Sequence, residues 1–362
     1  MKKVVFIIDN LKGGGAEKAI KIIIEGLQDK GINPILILLE NKLDYEINKS
    51  IQIYSLSDNI SKYNFIFLYF KLISLLKKIQ PDIIYATNTK SQILSLLSKY
   101  FYKAKRSINI QVDLTKQYEN RKLIFKLFNK LLNFADGYSF ISHGIYNNLK
   151  NKIPNKECFF IPNPIDFKEI DRLKLEAIDE EDIFSKKVIV NVGRLTKQKG
   201  QWILLEAFAK LNNPEYNLII LGVGEKEEEL KQLSKTLKIA DKVYFLGFKS
   251  NPFKYLYNSD IFVLSSLWEG FGNVIVEAMR CELPIVSSDC PSGPREIISP
   301  NDDKKFGKCE YGVLVKVDDS EALKNGIIEC IDSKEYYKRQ SIKRSYEYSK
   351  EKIVDKFIKC FL

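Results

Sequence analysis

This sequence has few of the residues that hold metal ions or form disulfides, and it lacks the long apolar runs that anchor a chain in a membrane. It contains a single histidine, and its six cysteines show neither a C-x-x-C pair nor another spacing typical of metal ligands. A reduced, cytosolic compartment without a structural metal is the simplest interpretation. No run reaches the roughly 18 apolar residues of a membrane-spanning helix, and no N-terminal apolar segment indicates secretion.

Acidic residues are scarce in the first half only. Residues 1–165 contain 25 Lys and Arg against 13 Asp and Glu, a balance of +12, whereas the remainder contains 32 against 33, a balance of −1. Because the whole excess lies in one half, a basic surface is expected there. Such a surface indicates an anionic partner: a phospholipid face, a pyrophosphate-bearing acceptor or nucleic acid.

A chain of 362 residues is longer than one hydrophobic core usually supports, so we expect two domains. In both halves, strand-like apolar runs alternate with helical stretches, which predicts right-handed βαβ units and mainly parallel sheets. The predicted fold class is therefore α/β, with two Rossmann-like domains. Pro162 and Pro164 stiffen the connection between the halves. The predicted domains are residues 1–163 and 164–335, followed by a lysine-rich segment of helical pattern at 336–362.

A loop with two glycines and one carboxylate follows the predicted strand at residues 261–265, whose continuous apolar run, 261–264, is typical of a buried parallel strand. Glu269 lies in this loop, and Glu277 lies on the helix predicted after it. Ligands bind at the carboxyl ends of strands in open α/β sheets, because helix N-termini and free N–H groups meet there. Gly270 and Gly272 would let the main chain approach such a ligand closely. Alone, two glutamates at this spacing are most often solvated surface groups.

In its context the glutamate pair carries more weight. Glu-Gly-Phe-Gly-Asn followed by an apolar helix with Glu277 resembles the E-x7-E signature of the retaining GT-B glycosyltransferases of family 4. The pattern G-R-L-x-x-x-K-G resembles the pyrophosphate-binding arginine and lysine of the same family. It places Arg194 and Lys199 beyond a predicted strand, where a guanidinium can bind phosphate oxygens in pairs and an ammonium supplies a mobile charge. By itself, a basic loop is usually only solvated.

Two further loops resemble parts of the family's donor site. Gly13, Gly14 and Gly15 separate the first predicted strand from the first predicted helix, and the last two resemble the loop that closes under the donor diphosphate. A flexible turn is the alternative interpretation. Phe248 follows a later strand, in a turn that in the family meets the nucleotide base through its main chain.

The resemblance implies a role for each of these residues. Glu269 would hold hydroxyls of the transferred sugar, Glu277 would hold the ribose hydroxyls, and Arg194, Lys199 and the amides around residues 271–274 would neutralise the departing diphosphate. Catalysis is assigned to Glu269, Arg194 and Lys199. The predicted donor-binding residues are Gly14, Gly15, Arg194, Lys199, Phe248, Glu269, Gly270, Phe271, Gly272, Asn273, Val274 and Glu277.

One departure from the family concerns the acceptor side. Many family 4 enzymes have a histidine after the fifth strand, but residues 109–115 contain none. Asp113 or Gln111 could take its place. The sole histidine, His143, follows the next predicted strand, and a lone histidine is more often an ordinary hydrogen-bonded residue than a catalyst. Asp113 and His143 are the candidates on the acceptor side.

The family implies the retaining transfer of a hexose or N-acetylhexosamine from a nucleotide-sugar, expected to be UDP-linked, to a hydroxyl of a glycan or lipid-linked glycan. It also implies the GT-B fold, with the two domains facing across a cleft and the C-terminal helix crossing back to the N-terminal domain. Synthesis of a cell-surface polysaccharide such as O-antigen is the expected context. The sequence has no Asp-x-Asp pair for a divalent cation, so no metal and no cofactor besides the donor are expected.

A peripheral location on the cytoplasmic face of the membrane is expected, since the basic, aromatic segments 63–78 and 100–106 suit an anionic lipid surface. The alternative is that the apolar residues of the first segment simply pack inward. Nucleic acid is not an expected partner. Three rival classes remain open: a nucleotide-sugar epimerase of related architecture, a basic nucleic-acid-binding protein, and a non-catalytic interaction protein.

Overall fold

The structure is a computed structural model that describes residues 2–59, 65–301 and 306–362. The chain forms two compact units, the first from Met1–Pro164 with Lys350–Leu362, and the second from Ile165–Ser349. Tyr63 and Asn64, which begin the first basic aromatic segment of the sequence, lie outside the described residues.

The first unit is built on a parallel sheet in which strands such as β1 and β2 have almost entirely apolar sequences. In its described part the strand order is β3-β2-β1-β4-β5-β6-β7, and the inner strand β1, VVFII, is buried along its whole length. The strands are β1 Val4–Ile8, β2 Ile35–Glu40, β3 Gln52–Ser57, β4 Ile83–Thr87, β5 Lys105–Ile110, β6 Gly137–Phe140 and β7 Glu157–Phe160.

Helices cover both faces of this sheet. They are α1 Gly15–Asp29, α2 Phe65–Ile79, α3 Thr89–Leu97, α4 Leu114–Gln117, α5 Lys122–Leu132 and α6 His143–Leu149. The connections from β3 to β4, β5, β6 and β7 all step across the sheet in one direction, so right-handed crossovers place α2, α3, α5 and α6 on one face. The connection from β1 to β2 steps in the opposite direction, and α1 therefore lies on the other face.

The second unit repeats the plan with a different edge. Its strand order is β10-β9-β8-β11-β12-β14-β13 among the described residues, with all pairs parallel except β13 with β14. The strands are β8 Lys187–Val192, β9 Tyr216–Leu221, β10 Val243–Gly247, β11 Ile261–Leu264, β12 Ile285–Ser288, β13 Gly307–Cys309 and β14 Gly312–Val315. The helices are α7 Phe167–Leu173, α8 Gln201–Leu211, α9 Glu227–Thr236, α10 Phe253–Tyr257, α11 Asn273–Arg280, α12 Pro294–Ile298, α13 Ser320–Asp332 and α14 Lys334–Ser345.

The last helix, α15 Lys350–Phe361, belongs to the core of the first unit. It packs on α1, where a Cβ on Gly26 would lie only 2.4 Å from the Cγ2 of Val354. The Phe357 ring stacks on Phe6 of β1 at a centroid distance of 5.5 Å. This packing makes α15 part of the face that α1 covers.

The C-terminal segment 336–362 is not one returning helix, and only its second half joins the first unit. Arg344 of α14 donates to the carbonyl oxygens of Ile297 and Glu296, at 2.8 and 2.7 Å, and so fastens that helix within the second unit. Ser349 is extended and forms a bridge with Ile165, which ends the helical run before α15 begins. The structural boundary between the units falls between Pro164 and Ile165, one residue after the predicted one.

None of the helices in the described part of the chain combines the length and the apolar character that crossing a membrane requires.

Candidate active site

The centre of the second sheet brings together the two loops that carry the family-like motifs. Strands β8 and β11 are neighbours, and the chain leaves β8 towards one edge of the sheet and β11 towards the other. Loops that follow two such strands diverge from a common point, and this topological switch point is where open α/β sheets bind ligands. Arg194 and Lys199 lie in the loop after β8, and Glu269 lies in the loop after β11.

A direct ion pair joins these loops. The Lys199 Nζ lies 2.6 Å from the Glu269 Oε1, and the side chains are only 17% and 7% exposed. Ser266 also donates from its Oγ to the Glu269 Oε1, at 2.6 Å. A partly buried carboxylate needs such partners, because burial without compensation would disfavour its charged form. Among the described residues, both of these bonds end on Oε1, and the Oε2 of Glu269 accepts none.

The main chains of the two loops are also bonded to each other. The Leu267 N–H donates to the carbonyl oxygen of Gln198 at 2.8 Å, and the Gln198 side chain donates to the carbonyl oxygen of Trp268 at 2.9 Å. Ser265 donates from its Oγ to the Lys199 carbonyl oxygen at 3.0 Å. These bonds hold the two loops together, so the geometry of the ion pair does not depend on two flexible side chains alone.

Serine side chains from the β12 region support the Glu269 loop from a third side. Ser292 donates to the carbonyl oxygen of Glu269, and Ser288 donates to that of Ser266, both at 2.6 Å. Cys290 donates to the same Ser266 carbonyl oxygen at 3.1 Å, and burial raises the pKa of its thiol to about 12, so it stays protonated at neutral pH. Sequence reasoning did not assign these residues, because the bonds join positions more than 20 residues apart and leave no local pattern.

The turn into α11 depends on two glycines. Gly272 has a φ of +92° directly before the helix, and Gly293 has a φ of +86° with its Cα so close to the main chain that a Cβ would lie 2.1 Å from the Phe271 carbonyl oxygen. Both backbones are in the left-handed region that favours glycine. The Phe271 side chain is buried against Tyr348, with a centroid distance of 5.3 Å, so only its main chain can contact a ligand. Gly270 is half-buried.

The remaining predicted donor residues of the second unit are accessible. Asn273 and Val274 begin α11, and Glu277 lies one turn further along the same helix, half-buried. Arg194 is exposed, and its guanidinium makes no hydrogen bond or ion pair with the residues that the structure describes. Phe248, after β10, is 75% exposed, and its main-chain contact with the nucleotide base stays a prediction.

In the first unit the predicted glycine loop already holds a carboxylate. Gly14 is extended before α1, and a Cβ there would lie 2.2 Å from the Glu17 Oε2. The Glu17 Oε1 accepts a hydrogen bond from Asn88 at 2.9 Å. Gly15 is the first residue of α1. Donor binding by Gly14 and Gly15 stays a prediction, and it requires the Glu17 side chain to turn away from an incoming anion.

The two acceptor-side candidates follow neighbouring strands of the first sheet but are used locally. Asp113 caps α4, accepting from the Thr115 N–H and hydroxyl at 2.9 and 2.7 Å, and its other oxygen accepts from Asn148 at 3.1 Å. His143 begins α6 and stacks on Phe160 at a centroid distance of 3.7 Å. The structure therefore explains both residues by local packing, and their roles towards an acceptor stay predictions.

Arg295 forms an ion pair with Asp289. Its Nε donates to the Asp289 Oδ1 at 3.0 Å, within the loop that carries Ser292. Nowhere in the described ranges do three or more His, Cys, Asp or Glu side chains come together as a possible set of metal ligands. All six cysteines are free thiols.

Comparisons with known proteins match both units. Residues 13–169 match the family model described as "Glycosyltransferase Family 4", and residues 176–346 match the one described as "Glycosyl transferases group 1". The chain is 33% identical over 300 residues to an uncharacterised glycosyltransferase of Methanocaldococcus jannaschii, covering 75% of this chain and 66% of that protein, which is about two thirds of its length. It is also 29% identical over 379 residues, with 100% of both chains covered, to the N-acetylgalactosamine-N,N'-diacetylbacillosaminyl-diphospho-undecaprenol 4-alpha-N-acetylgalactosaminyltransferase of Campylobacter jejuni.

Among solved structures, HepE of Anabaena in complex with UDP-glucose superposes with a TM-score of 0.79, at 20% identity and with 99% of both chains covered. At this identity the likeness concerns the fold. The fold class and the resemblance predicted from the E-x7-E and G-R-L-x-x-x-K-G patterns are confirmed. The chain therefore belongs to the glycosyltransferases that combine a family 4 domain with a group 1 domain, and it has the GT-B fold.

Proposed function

We propose that this protein transfers a hexose or N-acetylhexosamine from a UDP-sugar to a hydroxyl of a glycan or lipid-linked glycan, with retention of the anomeric configuration and without a metal ion. The observation that carries the proposal is the ion pair between Lys199 and Glu269 at the switch point of the second sheet. It holds a cation and a carboxylate side by side where a ligand would bind, supported by main-chain bonds between both loops.

The diphosphate of the donor would be bound by cations that are present before it arrives. Arg194 is exposed without a partner among the described residues, and its guanidinium can bind two phosphate oxygens at once. Lys199 is already oriented by Glu269, so little side-chain freedom is lost when a phosphate oxygen becomes its second partner. Positive charge fixed in this way stabilises the departing diphosphate in the transition state, which is the work that a divalent cation performs in other transferases.

Glu269 would act on the sugar. Its Oε1 is occupied by Lys199 and Ser266, whereas its Oε2 is available to accept a hydrogen bond from a sugar hydroxyl. One carboxylate would thus contact the sugar hydroxyl through Oε2 and Lys199 through Oε1. It would thereby fix the position of the sugar relative to the cation that binds the leaving diphosphate. Glu277, one turn along α11, would bind the ribose hydroxyls of the nucleotide.

The named relatives support the choice of substrates. HepE was solved with UDP-glucose, and the Campylobacter jejuni relative is named as an N-acetylgalactosaminyltransferase that acts on a diphospho-undecaprenol-linked sugar. From these we propose a UDP-linked donor, a lipid-linked acceptor in a cell-surface glycan pathway, and a peripheral position on the cytoplasmic face of the membrane.

The test is release of nucleotide from a panel of UDP-, GDP- and ADP-sugars, measured with EDTA, with and without a polyprenyl-diphosphate-linked sugar acceptor. The proposal predicts UDP release that depends on the acceptor and continues in EDTA. UDP release at the same rate without acceptor would favour an epimerase of related architecture. An α-linked product from an α-linked donor, identified by NMR, would establish retention, and a β-linked product would contradict it.

A further inference from the structure

Large apolar side chains are exposed unevenly in the two units. In the second unit they are scattered along the chain, as on most protein surfaces. In the first unit they concentrate on three segments: α2, the turn of residues 98–101, and α5. The exposed side chains on these segments are Ile66 71%, Phe67 63%, Phe70 59%, Tyr100 66%, Phe101 53%, Leu123 71%, Ile124 47% and Leu127 56%.

These three segments are neighbours on the face of the first sheet opposite to α1. The Tyr69 ring of α2 meets Phe101 at a centroid distance of 6.1 Å. Tyr100, next in the turn, meets Phe134, just after α5, at 5.1 Å. The exposed side chains therefore belong to one continuous region and not to three isolated sites.

The turn that carries Tyr100 and Phe101 is held in place by a buried arginine. Arg106 is fully buried and donates to the carbonyl oxygens of Ser95, Ala104 and Tyr102 at 2.9, 2.8 and 2.7 Å. Together with the Ser98 hydroxyl, which accepts at 3.1 Å, four acceptors surround this guanidinium and leave the turn little freedom to fold its aromatic side chains inward. The fold therefore holds the rings of Tyr100 and Phe101 in exposed positions.

Helix α5 has more apolar surface than the sheet can cover. Phe128 and Leu132 are 2% and 0% exposed and pack inward, whereas Leu123 and Leu127, on the adjoining part of the helix surface, are largely exposed. A helix that only packs on a sheet needs one apolar stripe, and the remainder is normally polar. The second stripe of α5 is thus left without a partner among the described residues.

Lysines border this apolar region, and acidic residues are missing from it. Neither α2 nor α5 nor residues 98–106 contain an Asp or Glu. Some of the basic groups are used within the unit, such as Lys99 with Asp136 at 2.6 Å. Six others make no ion pair with a described residue: Lys77, Lys78, Lys103, Lys122, Lys126 and Lys130.

We propose that this region, defined by the eight exposed apolar residues and the six lysines named above and called the apolar–basic surface, binds the anionic face of a phospholipid bilayer. The apolar side chains enter the headgroup boundary, and the lysines contact lipid phosphates. The inference rests on the peripheral location in the proposed function and adds which surface provides it.

Charge and side-chain type favour a bilayer over other occupants. A second copy of this chain would bring lysines against lysines in a two-fold interface, and like charges oppose such pairing. Single-stranded nucleic acid would use aromatic rings for stacking, but Ile66, Leu123, Ile124 and Leu127 are aliphatic and offer no stacking surface. An anionic bilayer accepts both the aliphatic and the basic groups.

The test is flotation of the full-length protein with vesicles of phosphatidylcholine alone or of equal parts phosphatidylcholine and phosphatidylglycerol. The wild-type protein is expected to float with the anionic vesicles and to be released partly by salt. Phe67→Ser with Leu123→Ser is expected to lower the partition coefficient more than about tenfold. Lys77→Gln with Lys126→Gln is expected to lower it on the order of tenfold at low salt and little at high salt.

A matched control changes the same kinds of residue in the second unit. Leu175 is 69% exposed, and Lys235 is exposed on α9. Leu175→Ser with Lys235→Gln is expected to leave flotation within about twofold of wild type. Equal losses of flotation in this control and in the two surface variants would overturn the proposal, since net charge or nonspecific adsorption would then explain binding.

Two further measurements separate the other outcomes. If the wild-type protein does not float, and light scattering shows a dimer that Phe67→Ser with Leu123→Ser dissociates, the surface binds a second copy of the chain and not a bilayer. If the protein retains single-stranded RNA in a salt-sensitive way and does not float, the surface binds nucleic acid and not a bilayer. UDP binding by calorimetry without vesicles is expected to be unchanged in all surface variants. A wild-type protein that floats but binds no UDP would contradict the proposed function and leave this surface supported.

Discussion

The two units share one architecture, but their strand-end residues are organised differently. In the second unit, residues from separate loops contact each other directly, as Lys199 and Glu269 do across the switch point. In the first unit, Asp113 is engaged in the cap of α4, and His143 is stacked on Phe160. The difference is one of charge: the second unit joins a lysine to a glutamate between two strand-end loops, whereas the contacts between loops of the first unit, Asn88 with Glu17 and Ser91 with Asp9, join a carboxylate to a neutral group.

The excess positive charge, in contrast, lies on the surface of the first unit. The first unit has unpaired lysines on α2 and α5 beside exposed apolar side chains, whereas the second half of the sequence is close to neutral. The second unit thus has paired charges between two of its loops, and the first has unpaired lysines and exposed apolar side chains on its surface. Four predictions probe this contrast.

The largest effect is expected for Glu269→Gln. The amide keeps the shape of the side chain but removes the charge that orients Lys199 and that, in the proposed function, accepts from a sugar hydroxyl. We expect turnover to fall about 1000-fold, or roughly 4 kcal/mol, while UDP affinity stays within a few-fold of wild type. Glu228→Gln, on the exposed surface of α9, is the matched control and should transfer sugar normally. Near-normal transfer by Glu269→Gln would show that the E-x7-E interpretation is wrong.

The second effect concerns stability. Lys199→Ala leaves the Glu269 carboxylate, whose side chain is only 7% exposed, without its cation, so we expect the free energy of unfolding to drop by about 3 kcal/mol in urea denaturation. Combining Lys199→Ala with Glu269→Gln should recover part of this loss, because a neutral amide costs less to bury. Arg194→Ala should change stability by less than about 0.5 kcal/mol, since its guanidinium is exposed. Equal stability of the Lys199 and Arg194 variants would contradict the ion pair.

A third effect concerns UDP. Arg194→Ala is expected to weaken UDP binding by about 1 to 3 kcal/mol, as the loss of a charge-assisted hydrogen bond does. Lys197→Ala removes a positive charge from the same loop and is the control, with an expected change of less than about 0.5 kcal/mol. Calorimetry gives both values. If the two variants lose affinity equally, the loop attracts UDP by net charge and Arg194 has no specific role.

The smallest effect is expected in the first unit. Asp113→Ala removes the cap of α4 and should cost about 1 kcal/mol of stability, with no change in UDP affinity. Asp113→Ser, which can still cap the helix, should restore most of this loss. If Asp113→Ala abolishes transfer while Asp113→Ser retains stability but not transfer, the residue contacts the acceptor as the sequence predicted.

Local sequence patterns predicted the strand and the glycine turn that carry the candidate site of the second unit. The apolar run that ends at Leu264 formed a strand with the bounds Ile261–Leu264, and Gly272, which follows it, has a φ of +92°, a conformation that favours glycine. These features depend on neighbouring residues, so they leave a pattern in the sequence. The buried Ser292 bond to the Glu269 carbonyl oxygen does not, because it depends on where β12 lies in the sheet.

Two parts of the fold could not be predicted for the same reason. Strand β13, Gly307–Cys309, has no apolar run of its own and exists through antiparallel pairing with β14. No proline or glycine in segment 336–362 indicates its division into α14 and α15. It follows from the contacts of Arg344 and from the bridge between Ile165 and Ser349.

The most direct test of the central claim compares two double variants for UDP binding by calorimetry in EDTA. The claim is that the loops of the second unit bind the donor diphosphate without a metal ion. Arg194→Ala with Lys199→Ala should lose at least about 100-fold in affinity, whereas Asp113→Ala with His143→Ala should bind UDP as the wild type does. Wild-type binding that disappears in EDTA, or an affinity loss confined to the Asp113 and His143 variant, would contradict it.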